Sequence, residues 1–272
     1  MYKKAKGVMS MWKWEAEGQP KATVVIVHNA YEHHRRYAWL IQRFRSDGFH
    51  VVTGDLPGHG KEGVKVHSET FKEYRRFIKR LIQTGLDGNL PVFLYGHGLG
   101  ATFLLRLLQT EQVECAGIIC SSPWLHLEHH PPLLAKMLTK LAHSMKLNHE
   151  MKPSLLSRNP AFLEQYEEDP LYVSLITAGW YRELELLMKS VVQKDSTIQD
   201  MPFLLHTGEA DEITDPSYSY SWVQAQNLSE LQYKRWKELY HDVMQEPERE
   251  EVYLYTRSFM NNVLRSLGYV IE

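Results

Sequence analysis

The sequence predicts an α/β fold: a mostly parallel central sheet with helices on both faces and a helical insertion between two of its strands. Three observations predict it. Continuous apolar runs such as ATVVIV at residues 22–27 have the composition of strands buried on both faces, as the strands of a parallel sheet are. Such runs alternate with amphipathic helical patterns over most of the chain. At residues 93–101, FLYGHGLGA, an apolar strand run passes through a glycine-rich turn straight into the helical pattern ATFLLRLLQT.

Taken in order, Met9 to Glu15 alternates apolar and polar residues and predicts a short edge strand. Ala22–Val27 is the first buried strand and ends at His28-Asn29-Ala30. Tyr37, Leu40, Ile41 and Phe44 then recur at helical spacing, and Gly48 closes that helix. HVVTGDL, from His50, is the next strand, and PGHGKEG is a loop. Phe71 to Leu86 predicts an amphipathic helix whose buried stripe is Phe77, Ile78, Leu81 and Ile82. PVFLYG, from Pro91, is a strand, GATFLLRLLQT its helix, and AGIICSS, from Ala116, the strand after it. The alternation stops over 123–200, where helical patterns and prolines occur without a strand of the buried type. That block is expected to form a helical cap. Alternation resumes with MPFLLHTG, a helix near Tyr218–Gln226, the strand LQYKRW and a last helix from about Glu248 to Leu267. The expected organisation is one domain over 1–272, with a core of about 9–122 and 201–272.

Composition excludes several classes of function. A hydrophobic content of 43% and a charged content of 24% are those of a globular chain, and 272 residues suffice for a large buried core. A net charge of −2 provides no basic field to draw nucleic acid or an anionic membrane. No apolar run of the roughly 18 residues that span a bilayer occurs. The first residues carry lysines but no apolar signal segment, so a cytoplasmic location is expected. Cys115 and Cys120 lie five apart on one apparent strand, an odd spacing that points them to opposite faces, so both are expected to be free thiols.

Loops at the carboxyl ends of parallel strands are where such sheets bind ligands, and four of them carry suggestive residues. Strand, glycine turn and helix at Gly96–Gly100 are the context of a nucleophile elbow, G-x-S-x-G, but its centre residue is Gly98. Asp211, after MPFLLH, is either an acid that orients a histidine or a cap on the following helix. His241 follows the last strand, where a general base belongs in the chain order nucleophile, acid, histidine. The loop His28-Asn29-Ala30 would supply one backbone N–H of an oxyanion hole through Ala30, and Leu99, after the elbow, the other. The cluster of histidines at 126, 129 and 130 matches no closed zinc site, and no metal or cofactor is expected. Ser121 and Ser122 sit on no elbow and read as strand-end hydrogen-bonding residues.

These stretches together make a recognisable set: MWKWEAE, VIVHNAYEHHRRYAWL, GDLPGHG, PVFLYGHGLGA, SSPWL, DPLYV, WYREL, GEADEI and YHDVMQEPEREEV. The chain resembles the monoglyceride lipase and bacterial lysophospholipase-like branch of the α/β-hydrolases, bacillus type, from Met11 to the end of the last helix. The resemblance implies Met11 as the start, Asp211 and His241 as triad acid and base, and Ala30 and Leu99 as oxyanion donors. It implies a lipid-contacting cap from Trp124 to Asp200, with Asn29 and Trp124 at the substrate, and a small acyl ester or lipid as ligand. Two positions depart from the family pattern: the serine is Gly98, and the glycine of the His-Gly oxyanion motif is Asn29. Asn tolerates positive φ best among non-glycine residues, so Asn29 is expected to keep the glycine's backbone path. Two readings follow. One is a carboxylic-ester hydrolase with impaired or water-mediated chemistry; the other is a pseudoenzyme that binds a lipid or a protein partner.

Overall fold

The structure is a computed structural model and describes residues 11–61, 63–129 and 142–270. The apolar runs become seven strands of one sheet: β1 (Met11–Trp14), β2 (Ala22–Val27), β3 (Phe49–Gly54), β4 (Val92–His97), β5 (Gly117–Ser121), β8 (Phe203–Gly208) and β9 (Leu231–Trp236). Their order across the sheet is β1-β3-β2-β4-β5-β8-β9. Every neighbouring pair is parallel except β1 with β3. An antiparallel edge fits the alternating pattern from which that strand was predicted; Met9 and Ser10, its expected start, lie outside the described residues.

Both faces of the sheet are covered, which is why its central strands read as mostly apolar runs. Val25, Val27, Val52 and Leu94 face one way, against α2 (Phe71–Leu86) and α3 (Leu99–Thr110). Val24, Ile26, Val51 and Tyr95 face the other, against α1 (Ala38–Ser46) and the last helix, α8 (Arg249–Ser266). The α2 stripe predicted from spacing is buried as expected, with Tyr74 added to it, and Thr70 caps the helix by accepting from the Glu73 N–H.

Two sequence expectations need correction here. Cys115 precedes β5 rather than lying on it, so strand alternation does not set the geometry of the two cysteines; both are free and Cys120 is buried. The block at 123–200 is not purely helical. Its described part holds a two-stranded antiparallel ladder, β6 (Lys146–Asn148) with β7 (Leu175–Thr177). Between them lie α4 (Pro153–Leu156) and α5 (Pro160–Glu167), and α6 (Ala178–Val191) follows. Helix α6 packs on α2 and α3, where the Trp180 indole donates to the Tyr74 hydroxyl at 3.0 Å. Helix α7 (Pro216–Gln224) joins β8 to β9.

Candidate active site

The parallel strands bring their carboxyl ends to one edge, and the four loops singled out from the sequence meet there. At the β4–α3 junction the outer glycines are required by close approach. A Cβ on Gly96 would lie 2.6 Å from the Ala101 Cα, and one on Gly100 would lie 2.3 Å from the Val27 carbonyl oxygen. Gly98 at the apex has φ 51° and ψ −119°, a conformation that costs a residue with a side chain about 1–3 kcal/mol.

Asp211 and His241 are in contact. The His241 Nδ1–H donates to Asp211 Oδ2 at 2.9 Å, and both side chains have no solvent exposure. The Asp211 carboxylate also shapes its own turn, with Oδ1 accepting from the Ile213 and Thr214 N–H groups and Oδ2 from the Thr214 hydroxyl. The residue that caps α7 is Asp215. Burial opposes charge on both groups. The pair nevertheless holds the Asp211 carboxyl below its usual range and the His241 imidazole above its own, because each ion stabilises the other.

Trp124 joins the apex to this pair. Its backbone N–H donates to the Gly98 carbonyl, and its indole N–H donates to His241 Nε2 at 3.3 Å. An N–H donor at Nε2 requires the lone pair there and puts the imidazole proton on Nδ1. Trp124 is wholly buried, packed beside the rings of Tyr31 and His149. Trp124 and Leu99 have no accessible surface, and Trp124 closes over the histidine. Both serines at the end of β5 are engaged: the Ser122 hydroxyl donates to the His241 carbonyl at 2.7 Å, and Ser121 Oγ lies 3.2 Å from His97 Nδ1.

The Ala30 and Leu99 N–H groups also converge, but on an atom of the chain itself. Both donate to Asn29 Oδ1, each at 2.8 Å. Asn29 does not take the positive-φ path expected for it; in that loop the positive φ, 70°, belongs to Tyr31. Asn29 is instead held by its backbone. Its N–H donates to Glu32 Oε1 at 2.7 Å, and its carbonyl accepts from His28 Nδ1 at 2.6 Å.

Sequence spacing missed three groups around the site. Buried Glu32 takes the Asn29 N–H and the Tyr37 hydroxyl, and burial together with nearby Asp242 raises its pKa. Asp242 is pushed up to about 7 by burial, and its Oδ1 lies 3.7 Å from His97 Nε2. Burial pushes His97 down to about 4. In the sequence Asp242 is marked only by adjoining His241 and His97 only by adjoining Gly98, and nothing marks Glu32. The histidine cluster behaves as polar surface: His126 approaches Glu128 at 3.5 Å and His129 donates to the Glu150 carbonyl, while His130 lies outside the described residues.

An elbow between a parallel strand and a helix, with an Asp–His pair from the last two strand ends, is the architecture of one large superfamily. The sequence matches the model of the family Hydrolase_4, described as serine aminopeptidase, S33, over residues 18–248. The chain belongs to this α/β-hydrolase family. It is 34% identical over 260 residues to phospholipase YtpA of Bacillus subtilis, covering 93% of this chain and all of that protein. It is 28% identical to the monoacylglycerol lipase of Mycolicibacterium smegmatis, with 88% of each chain covered. The crystal structure of Paleococcus ferrophilus monoacylglycerol lipase superposes with a TM-score of 0.81 at 29% identity, covering 95% of this chain and 99% of that one. No helix among the described residues is long and apolar enough to cross a membrane.

Proposed function

We propose that this chain keeps the fold and lipid-ester recognition of a lysophospholipase or monoacylglycerol lipase but does not form an acyl-enzyme. The observation that carries this reading is the apex of the elbow: Gly98 has no hydroxyl, and the hydroxyls of Ser121 and Ser122 are bonded elsewhere. In a triad the serine oxygen attacks the ester carbonyl, the histidine takes its proton, and two N–H groups receive the charge that develops on oxygen. Here Asp211 and His241 keep their mutual geometry, but His241 has no hydroxyl to deprotonate.

Magnitudes support a silent site over a slow one. Loss of the nucleophile costs a serine-hydrolase triad about 10⁶-fold in kcat. The residual rate, about 10³–10⁴ over water, comes from binding and the oxyanion donors. With both donors spent on Asn29 Oδ1, much of that residue is forfeited as well. Its ligand is an acyl or lipid molecule, the class on which the phospholipase and monoacylglycerol lipase relatives are named to act. The retained Asp211–His241 pair favours a second reading, in which His241 activates water against an ester. Trp124 stands against it by occupying Nε2.

The experiment is a pair of assays on the unmodified protein. p-Nitrophenyl butyrate turnover is expected at background, while thermal-shift titration with lysophosphatidylcholine and 1-monooleoylglycerol is expected to raise Tm. Turnover at the rate of an ordinary esterase would refute silent chemistry; a flat titration would refute the lipid ligand.

A further inference from the structure

We propose that Asn29 and Gly98 form an interlock: the Asn29 carboxamide is the resident occupant of the oxyanion hole, and it fits only because residue 98 has no side chain. The inference rests on the reading of Ala30 and Leu99 as oxyanion donors, and it adds what fills their site and what excludes a nucleophile from it.

Three observations meet on one atom. An oxyanion hole is defined by donors 2.7–3.1 Å from the place the charged oxygen will take. Two backbone N–H groups lie 2.8 Å from Asn29 Oδ1, and because both are donors the atom between them is the amide oxygen rather than the nitrogen. The carboxamide thus stands where the carbonyl of an ester would stand. A Cβ built on Gly98 would lie 2.1 Å from Asn29 Oδ1, 2.3 Å from Cγ and 2.6 Å from Nδ2. A Cβ atom essentially never comes within 3.0 Å of an atom it is not bonded to, so a serine at 98 and this position of Asn29 exclude each other.

Asn29 can yield only by turning its carboxamide, because its backbone is fixed. Its N–H is tied to Glu32 and its carbonyl to His28, whose other ring nitrogen, Nε2, accepts from the Leu56 N–H at 2.9 Å. Moving the side chain would strip its acceptor from two buried N–H groups. The two departures from the family pattern, 69 positions apart, are therefore one structural change. Asn29 satisfies donors that would otherwise be buried without a partner, and Gly98 makes room for it.

Two consequences separate the interlock from a simple loss of serine. Restoring the hydroxyl alone should fail, because it meets the carboxamide. Emptying the hole alone should create a site for an anionic oxygen, with no nucleophile required. The test uses the full chain, its Gly98→Ser and Asn29→Gly variants, and the double variant. A fluorophosphonate reports the nucleophile: the hydroxyl oxygen bonds to phosphorus, the P–F bond breaks, the hydroxyl proton passes to His241, and fluoride leaves. Octylboronic acid and decanoate report the hole by thermal shift.

The double variant is expected to label at least about 100-fold faster than Gly98→Ser, the factor that oxyanion donors contribute. Asn29→Gly is expected not to label but to gain a Tm shift with octylboronic acid or decanoate that the unmodified protein lacks. Equal labelling of Gly98→Ser and the double variant would overturn the interlock. So would Asn29→Gly showing no gain with either ligand, an arm that holds even where Gly98→Ser fails to fold. A double variant that stays unreactive while Asn29→Gly gains the anion would uphold the interlock and show that His241, with Nε2 held by the Trp124 indole, does not take the hydroxyl proton. Labelling of the unmodified protein would refute the silent-site reading and leave the anion-binding arm to decide the interlock.

Discussion

Replacing Gly98 with alanine introduces the Cβ without any chemistry, so its cost measures the interlock directly. The backbone at φ 51° contributes about 1–3 kcal/mol of strain. Displacing the Asn29 carboxamide strips the acceptor from two buried N–H groups, each about 1–3 kcal/mol. The variant is therefore expected to lose at least about 3 kcal/mol. Asn29→Ala strips the same two donors and adds no strain. In the double variant those donors are lost once, not twice, so its cost should fall short of the summed single costs by at least about 2 kcal/mol. Residues without contact add within about 0.3–0.5 kcal/mol, which makes the coupling easy to recognise. Urea unfolding followed by tryptophan fluorescence measures all four proteins. Additive costs would show that the two side-chain positions do not compete for one space, and would refute the reasoning.

Three further outcomes are expected. Burial depresses His28, His67 and His97 to about 4, His206 to about 3, and His59 well below the usual value. Unfolded histidines bind protons near pH 6.5, so stability should be full above that pH and fall as pH drops from about 6.5 toward 4. Glu32 and Asp242, whose pKa values are raised, oppose this over the same window, but the five histidines outnumber them; His241, whose pKa is raised, contributes stability that is constant below about pH 6.5 and is lost only above it. A urea midpoint unchanged between pH 7 and 4.5 would contradict this account. Asp211→Asn removes the negative charge that holds the His241 pKa up against burial, so the imidazole titration followed by NMR should move to lower pH; an unmoved titration would break the pairing. Trp124→Phe leaves His241 Nε2 without its indole donor, so the histidine should become reactive toward diethylpyrocarbonate at an unchanged fold, and should cost about 0.5–1.5 kcal/mol in urea. Equal reactivity in both proteins would show that the indole does not cover the ring.

Much of the fold was legible because its signals are local. The β2 and β4 runs and the first half of β8 are mostly apolar since both of their faces are packed, and the α2 stripe has the period of the helix that buries it. Three-residue strands such as β6 and β7 are too short for any period, and their pairing depends on a partner some thirty residues away. Asp211 and His241 were singled out by their place after β8 and β9, and strand order brings them into contact at one edge. The convergence of the Ala30 and Leu99 N–H groups on Asn29 Oδ1 was not legible. That Asn29 Oδ1 reaches the Leu99 N–H is a fact of two loops meeting across β2 and β4, and no spacing within either loop encodes it. The same holds for the Trp124 indole on His241, and for Glu32, whose carboxylate looks like any surface glutamate until burial and the Asn29 N–H are seen together.

No residue of the unmodified chain is expected to act as a serine-type nucleophile. Intact-protein mass spectrometry after incubation with a fluorophosphonate tests it most directly. The expected result is the unshifted mass of the 272-residue chain. A stoichiometric phosphonyl adduct, mapped to any hydroxyl and abolished by His241→Ala, would contradict it.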